Sequence, residues 1–209
     1  TVLERSVQAL LADPRLEKVF VVLAQGDMRG AALFEGNSKV TCLPVAGEER
    51  ANTVLNALNH LLNNFIVNET DWILVHDAAR PGLNSVALAT LIDQASEHVA
   101  GGLLAMPVVD TLKKGNVAEE GEVVAQHTVP RSQLWTAQTP QMFRAQALSL
   151  AISECLFKGV QLTDDASAIE TMGIGPLIVP GHVENMKITV ADDLRVVAKL
   201  LDLNGECSQ

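Results

Sequence analysis

The stretch 72-WILVHDAARPGLNS-85 decides how this chain folds. Four apolar residues end abruptly at His76 and Asp77, and Arg80 and Pro81 follow. A short apolar run bounded by turn residues reads as a buried strand. Asn84 then suits the N-cap of a helix that carries Val86, Leu88, Leu91, Ile92 and Ala95 on one stripe. The unit is therefore strand, polar turn, helix, and the same alternation extends in both directions. Residues 18–24, 39–45, 101–108, 176–180 and 186–189 read as strands. Residues 1–11, 50–62, 144–157 and 190–202 read as helices, with Thr189 and Asp192 forming a capping box before the last. Alternating elements predict an α/β domain, a mostly parallel sheet with helices on both faces, spanning residues 1–209 as one unit. Residues 108–138 break the rule. DTLKKGNVAEEGEVVAQHTV has no helical stripe and reads as two polar strands around a charged, Gly-containing turn. Such a hairpin has little core to pack on, so it projects into solvent or packs on another subunit.

Composition narrows the function. The 209 residues carry a net charge of −10 and no long Lys/Arg cluster, which argues against sequence-independent nucleic-acid binding. A small phosphorylated ligand needs only a few local cations and stays open. No apolar run reaches the ~18–20 residues of a membrane span, and no signal peptide is evident. Cys42, Cys155 and Cys207 are far apart and odd in number, as expected of reduced thiols in a cytoplasmic protein. Neither they nor the five histidines show zinc spacing.

Ligands of doubly wound sheets bind beyond the carboxyl ends of the strands. His76, Asp77 and Arg80 occupy such an end. Asp77 could hold Mg²⁺ and Arg80 could grip a phosphate; a turn-capping Asp77 paired with Arg80 explains the same residues. AGEERANT (46–53) places a glycine and free backbone N–H groups at a helix start, suited to a polar ring or phosphate or to an ordinary helix entry. PVVDT (107–111) sets Asp110 and Thr111 at the base of the hairpin. QLTDDAS (161–167) sets Thr163, Asp164 and Asp165 at a helix start, where acids also suit the helix dipole. Lys187 lies in ENMKIT, where an outward, solvated strand position is the plain alternative.

VHDAARP, TPQMF, TDDAS and NMKIT, in this order and together with GEERANTV and PVVDT, resemble the 2-C-methyl-D-erythritol 4-phosphate cytidylyltransferase family. The resemblance runs from Thr1 to about Leu203. It implies a Rossmann-like nucleotidyltransferase domain of the nucleotide-diphospho-sugar transferase type, with a β-arm (108–138) that forms a homodimer. It also implies CTP as co-substrate, methylerythritol phosphate as acceptor and Mg²⁺ as cofactor. By matched position, Gly47, Glu48 and Thr53 receive the cytosine, Ala78 lies beside the cytidine, and Asp77 stands near the metal. Arg80, Asp110, Thr111, Thr139 and Thr163 match substrate positions, some of them reaching the partner subunit's pocket. Arg131 and Lys187 match the pair that positions the attacking phosphate.

Two departures stand out. Glu48 is one methylene longer than the aspartate often found there. The family's A-A-G-x-G-x-R loop, which wraps the CTP phosphates, has no match in these residues, and is expected upstream of Thr1. A cytidylyltransferase for another polyol phosphate, such as ribitol 5-phosphate, and a non-catalytic nucleotide-binding homologue are the competing readings.

Overall fold

The computed structural model describes residues 1–117 and 121–206. In chain order the elements are α1 (Val2–Leu11), β1 (Val19–Val22), α2 (Met28–Ala32), β2 (Val40–Leu43), α3 (Arg50–Asn63), β3 (Trp72–Val75), α4 (Ser85–Ser96) and β4 (Gly102–Pro107). Then come β5 (Leu112–Val117), β6 (Val123–Val129), β7 (Trp135–Arg144), α5 (Ala145–Phe157), α6 (Asp165–Glu170), β8 (Leu177–Pro180) and α7 (Ala191–Glu206), with a 3₁₀ turn at Val183–Asn185 before the last.

Side-chain alternation on the strands builds the layers. In β7, Phe143 points to a cluster with Leu58 of α3, Ile152 of α5 and Ala168 of α6. Its neighbour Met142 points the other way, to Leu10 of α1 and Leu88 and Leu91 of α4. Leu103 and Leu104 of β4 divide in the same manner. A period of two on a sheet covered on both faces explains why these runs are apolar throughout. Asn84 caps α4 as expected, its Oδ1 accepting from the N–H groups of Val86 and Ala87.

The sheet itself differs from the expectation of mostly parallel strands. The larger one runs β3-β7-β4-β8, with β7 antiparallel to both β3 and β4, and only β4 and β8 parallel. β7 leaves the arm and returns into the domain between two strands laid down earlier, and this return reverses its direction. β1 and β2 form a separate parallel pair. Among the described residues β1 and β3 do not pair; α1 packs Leu10 in one cluster with Trp72 and Leu16, and Ser6, at its middle, donates to the Ala78 carbonyl. Between the two strands lies an open trench of about 1090 Å³, floored and walled by apolar residues of α1 and α3, such as Val7, Leu10, Leu58 and Leu61.

Two further corrections concern the end of the chain. Residues 186–189 form no strand. Met186 is extended, but the one backbone–backbone bond from 186–189 to a distant segment is Ile188 N–H to the Ala79 carbonyl, and a single bond makes no ladder. The acid that closes the entry to α7 is Asp193, not Asp192: its Oδ2 accepts from the Thr189 N–H and hydroxyl and from the Val190 N–H. The hairpin forms as expected from β5 and β6, with a bulge between Lys114 and Gly115. Residues 118–120 of its turn, and Cys207, lie outside the described residues. Cys42 and Cys155 are free thiols. No helix among the described residues is long and apolar enough to cross a membrane.

Candidate active site

Asp77, just past the end of β3, is the centre of the site. Its backbone N–H donates to the Thr139 hydroxyl at 3.0 Å. That hydroxyl lies 3.0 Å from Nδ1 of His76, whose Nε2 lies 3.0 Å from the Arg80 carbonyl. The carbonyl can only accept, so Nε2 carries the proton, Nδ1 accepts, and Thr139 donates to it. Burial pushes the His76 imidazole down to about 4, so it is neutral at ordinary pH. The three groups form a fixed support under the Asp77 backbone.

Three cations converge on the Asp77 carboxylate. Arg50 Nε meets Oδ1 at 3.1 Å, while Lys187 Nζ and Arg80 Nε meet Oδ2 at 3.1 and 3.3 Å. Burial raises the carboxyl, but Arg50 and Lys187 outweigh it and hold Asp77 below the usual carboxylate range. Arg80 is largely buried, and its Nη1 donates to the Asn185 carbonyl at 2.7 Å. Asn185 in turn donates to the Thr139 carbonyl at 2.7 Å. These contacts fasten the segment bearing Lys187 to the turn after β3 and to the middle of β7. Lys187 itself remains 42 % exposed.

Asp77, expected to stand near a metal, sits inside a cluster of cations. Both of its oxygens already carry cations. Among the described residues, no three His, Cys, Asp or Glu side chains are grouped to hold a metal ion. Mg²⁺ demands near-octahedral oxygen ligands, and this donor set does not fit a dedicated site for it.

The other sequence-predicted residues separate into three places. At the turn into α3, the Gly47 N–H donates to the Thr53 hydroxyl at 2.9 Å, and a Cβ on Gly47 would stand 2.5 Å from that of Asn52. Only glycine fits, and the Thr53 hydroxyl closes this loop. Glu48 lies in the same turn, and Ala78 is exposed just past Asp77. Thr139, expected at a substrate position, is only 3 % exposed and lies beneath Asp77 with its hydroxyl bonded to His76. Arg80, expected at a substrate position, is likewise turned inward toward the Asn185 carbonyl. Thr163 lies just before α6. Asp110, Thr111 and Arg131 gather at the exposed base of the arm, where Arg131 donates to the Val109 carbonyl.

Sequence reasoning missed Arg50 and assigned Asp165 no more than a helix-start role. Arg50 opens α3, and its guanidinium spans Asp77 and Asp165, meeting the latter through Nη1 at 3.0 Å and Nη2 at 2.7 Å. The signal available was the arginine in GEERANT, which lies at a strand-end turn as Asp77 and Arg80 do.

An α/β sheet with a cationic cluster at its strand ends, and a Gly-dependent turn beside it, fits the class of Rossmann-like nucleotidyltransferases. The comparisons make this specific. The family model IspD, 2-C-methyl-D-erythritol 4-phosphate cytidylyltransferase, matches residues 1–202. A Bordetella petrii protein of that description is 45% identical over 196 residues, covering 94% of this chain and 83% of its own. A crystal structure of a 4-diphosphocytidyl-2C-methyl-D-erythritol synthase superposes with a TM-score of 0.86 at 41% identity, covering 96% of this chain and 90% of that one. The Thermus thermophilus cytidylyltransferase follows with a TM-score of 0.77 at 28% identity, covering 96% and 88%. The chain belongs to the 2-C-methyl-D-erythritol 4-phosphate cytidylyltransferase family.

Proposed function

We propose a division of labour among these residues for the reaction of the family: the cytidylyl group of CTP passes to 2-C-methyl-D-erythritol 4-phosphate, giving CDP-methylerythritol and pyrophosphate. The relatives are named for this acceptor, which favours it over ribitol phosphate and over a binding-only homologue.

The carrying observation is the convergence of Lys187, Arg80 and Arg50 on one carboxylate at the open strand ends. A phosphate monoester is largely dianionic near pH 7 and needs no strong base to attack. The barrier is repulsion between anions and the need for in-line geometry. A chain of net charge −10 must meet this locally, and Lys187 is the exposed cation of the cluster. It orients the acceptor phosphate and offsets charge on the α-phosphate. Asp77 holds Lys187 in place. Gly47 and Glu48, with Ala78, receive the cytidine at the α3 turn. Mg²⁺, the cofactor that the resemblance implies, would lower the charge of the triphosphate beside Asp77.

The arm carries the remaining roles. Its exposed Val117, Val123 and Val124 pair with a second copy to make a homodimer. Arg131, Asp110 and Thr111 then reach the acceptor in the partner's pocket, with Thr163 nearby. The protein works in the cytoplasm.

Pyrophosphate release from CTP by the complete gene product tests the reading. Release with methylerythritol phosphate and none with ribitol 5-phosphate is the expected result. The reverse moves the chain to another polyol phosphate.

A further inference from the structure

Asp165 is 2 % exposed, a deeply buried carboxylate that the reaction outlined above leaves without a task. Helix capping does not account for it. Asp164 caps α6, its Oδ1 accepting from the Ser167 N–H at 2.9 Å. Burial raises the Asp165 carboxyl despite the arginine beside it, so the chain keeps an acid where its charge is costly. Both Asp165 oxygens take the fork of Arg50. A third N–H of that guanidinium, on Nε, holds Asp77 Oδ1, and Asp77 Oδ2 holds Lys187. A single file of charges, Asp165–Arg50–Asp77–Lys187, thus joins the starts of α6 and α3, the end of β3 and the loop before α7.

Charge balance does not require Arg50 at Asp77, because Arg80 and Lys187 already outnumber that carboxylate. What a guanidinium adds is direction. Its planar fork, gripped bidentately on one side, presents Nε in one orientation only. We propose that Arg50, with Asp165 behind it, is a positioning pair that sets the rotation of the Asp77 carboxylate and so aims the Lys187 ammonium at the acceptor phosphate. This rests on the reaction proposed above. Neither Arg50 nor Asp165 acts on substrate; both act through Asp77 on Lys187.

The experiment is a double-mutant cycle in the complete gene product, read as kcat for pyrophosphate release with CTP and methylerythritol phosphate. Effects of independent sites multiply, whereas sites acting through one group do not. Asp165→Asn keeps the shape of the side chain, and Arg50→Lys keeps the charge but loses the planar fork that sets direction. Each is expected to lower kcat at least tenfold in the wild type and less than threefold in a Lys187→Ala background. A merely structural role would cost the same factor in both backgrounds, and that result overturns the proposal. So does an unchanged kcat in a folded Asp165→Asn protein. Should Asp165→Asn fail to fold, Arg50→Lys carries the cycle, since the Arg50 side chain is 34 % exposed and its replacement leaves no large buried gap. A wild-type protein that releases no pyrophosphate refutes the reaction assignment; an active wild type with multiplying effects refutes only the positioning pair.

Discussion

Lys187 and His76 show how differently two charged-type residues serve one site. Lys187 is half in solvent and packs little, so Lys187→Ala is expected to leave the melting temperature within a few degrees of wild type. It should lower kcat/KM by about 100-fold or more, the scale of losing one group that stabilises developing charge. Near-normal kcat/KM would remove Lys187 from the mechanism. His76 touches no substrate but supports Asp77 from behind. Its pKa falls from an ordinary 6.5 to about 4 on folding. Between those values the unfolded chain binds the proton and the folded chain does not, so stability rises with pH through this window. Melting temperature is expected to climb from pH 4 to pH 6.5, and His76→Asn should flatten that slope. An equally steep climb in the variant would assign the pH dependence to other groups.

At the scale of elements, loops do the positioning and strands only bring them together. Gly82, between β3 and α4, lies directly under the 3₁₀ turn that precedes Lys187. A Cβ there would stand 2.0 Å from the Glu184 carbonyl oxygen. Backbone cannot yield as a flexible side chain can, so Gly82→Ala must displace the 184–187 segment. The expected cost is about 1–3 kcal/mol of stability, typical of forced overpacking, together with a fall in turnover. Urea unfolding and pyrophosphate release measured on the same sample check both. Lost stability with full turnover would show that the loop can shift without moving Lys187.

For the whole molecule, the arm is the feature that a single subunit leaves unexplained. β5 and β6 pair with each other and are exposed along almost their entire length, with Val117 69 % and Val123 74 % exposed. The proposed arm-to-arm dimer predicts a dimer for the parent protein and a monomer for Val124→Glu in analytical ultracentrifugation, with the domain's melting temperature kept. Arg131→Glu is expected to abolish turnover, and mixing it with Lys187→Ala should restore part of it, because one pocket of such a dimer draws both intact residues from different chains. No recovery at any mixing ratio would place Arg131 and its target in the same subunit.

Much of this was legible before the fold was known. Apolar periodicity located β1, β3, β4, α1, α3 and α5, and Asn84 marked its helix start, because these signals are local. Strand ends then pointed to Asp77 and to the turns around Gly47 and Thr163, since a doubly wound sheet puts its ligand there. β7 escaped notice: its first residues belong to the arm, and TPQMF and the residue before it carry buried Gln138 and Gln141, which break the apolar pattern. Those glutamines are buried because they find partners far away in sequence, Gln141 with the Ala166 N–H and Asp164, Gln138 with the His182 carbonyl. The same reason hid the Arg50–Asp165 bridge, which spans 115 positions. The sequence by itself determined the class of fold, the family and the edge where chemistry occurs, because these follow from local pattern and motif order. Only the tertiary structure decided that β7 runs antiparallel, that Thr139 and Arg80 turn inward, and that Asp77 binds three cations. Each depends on which distant groups share a buried space, and no local signal records that.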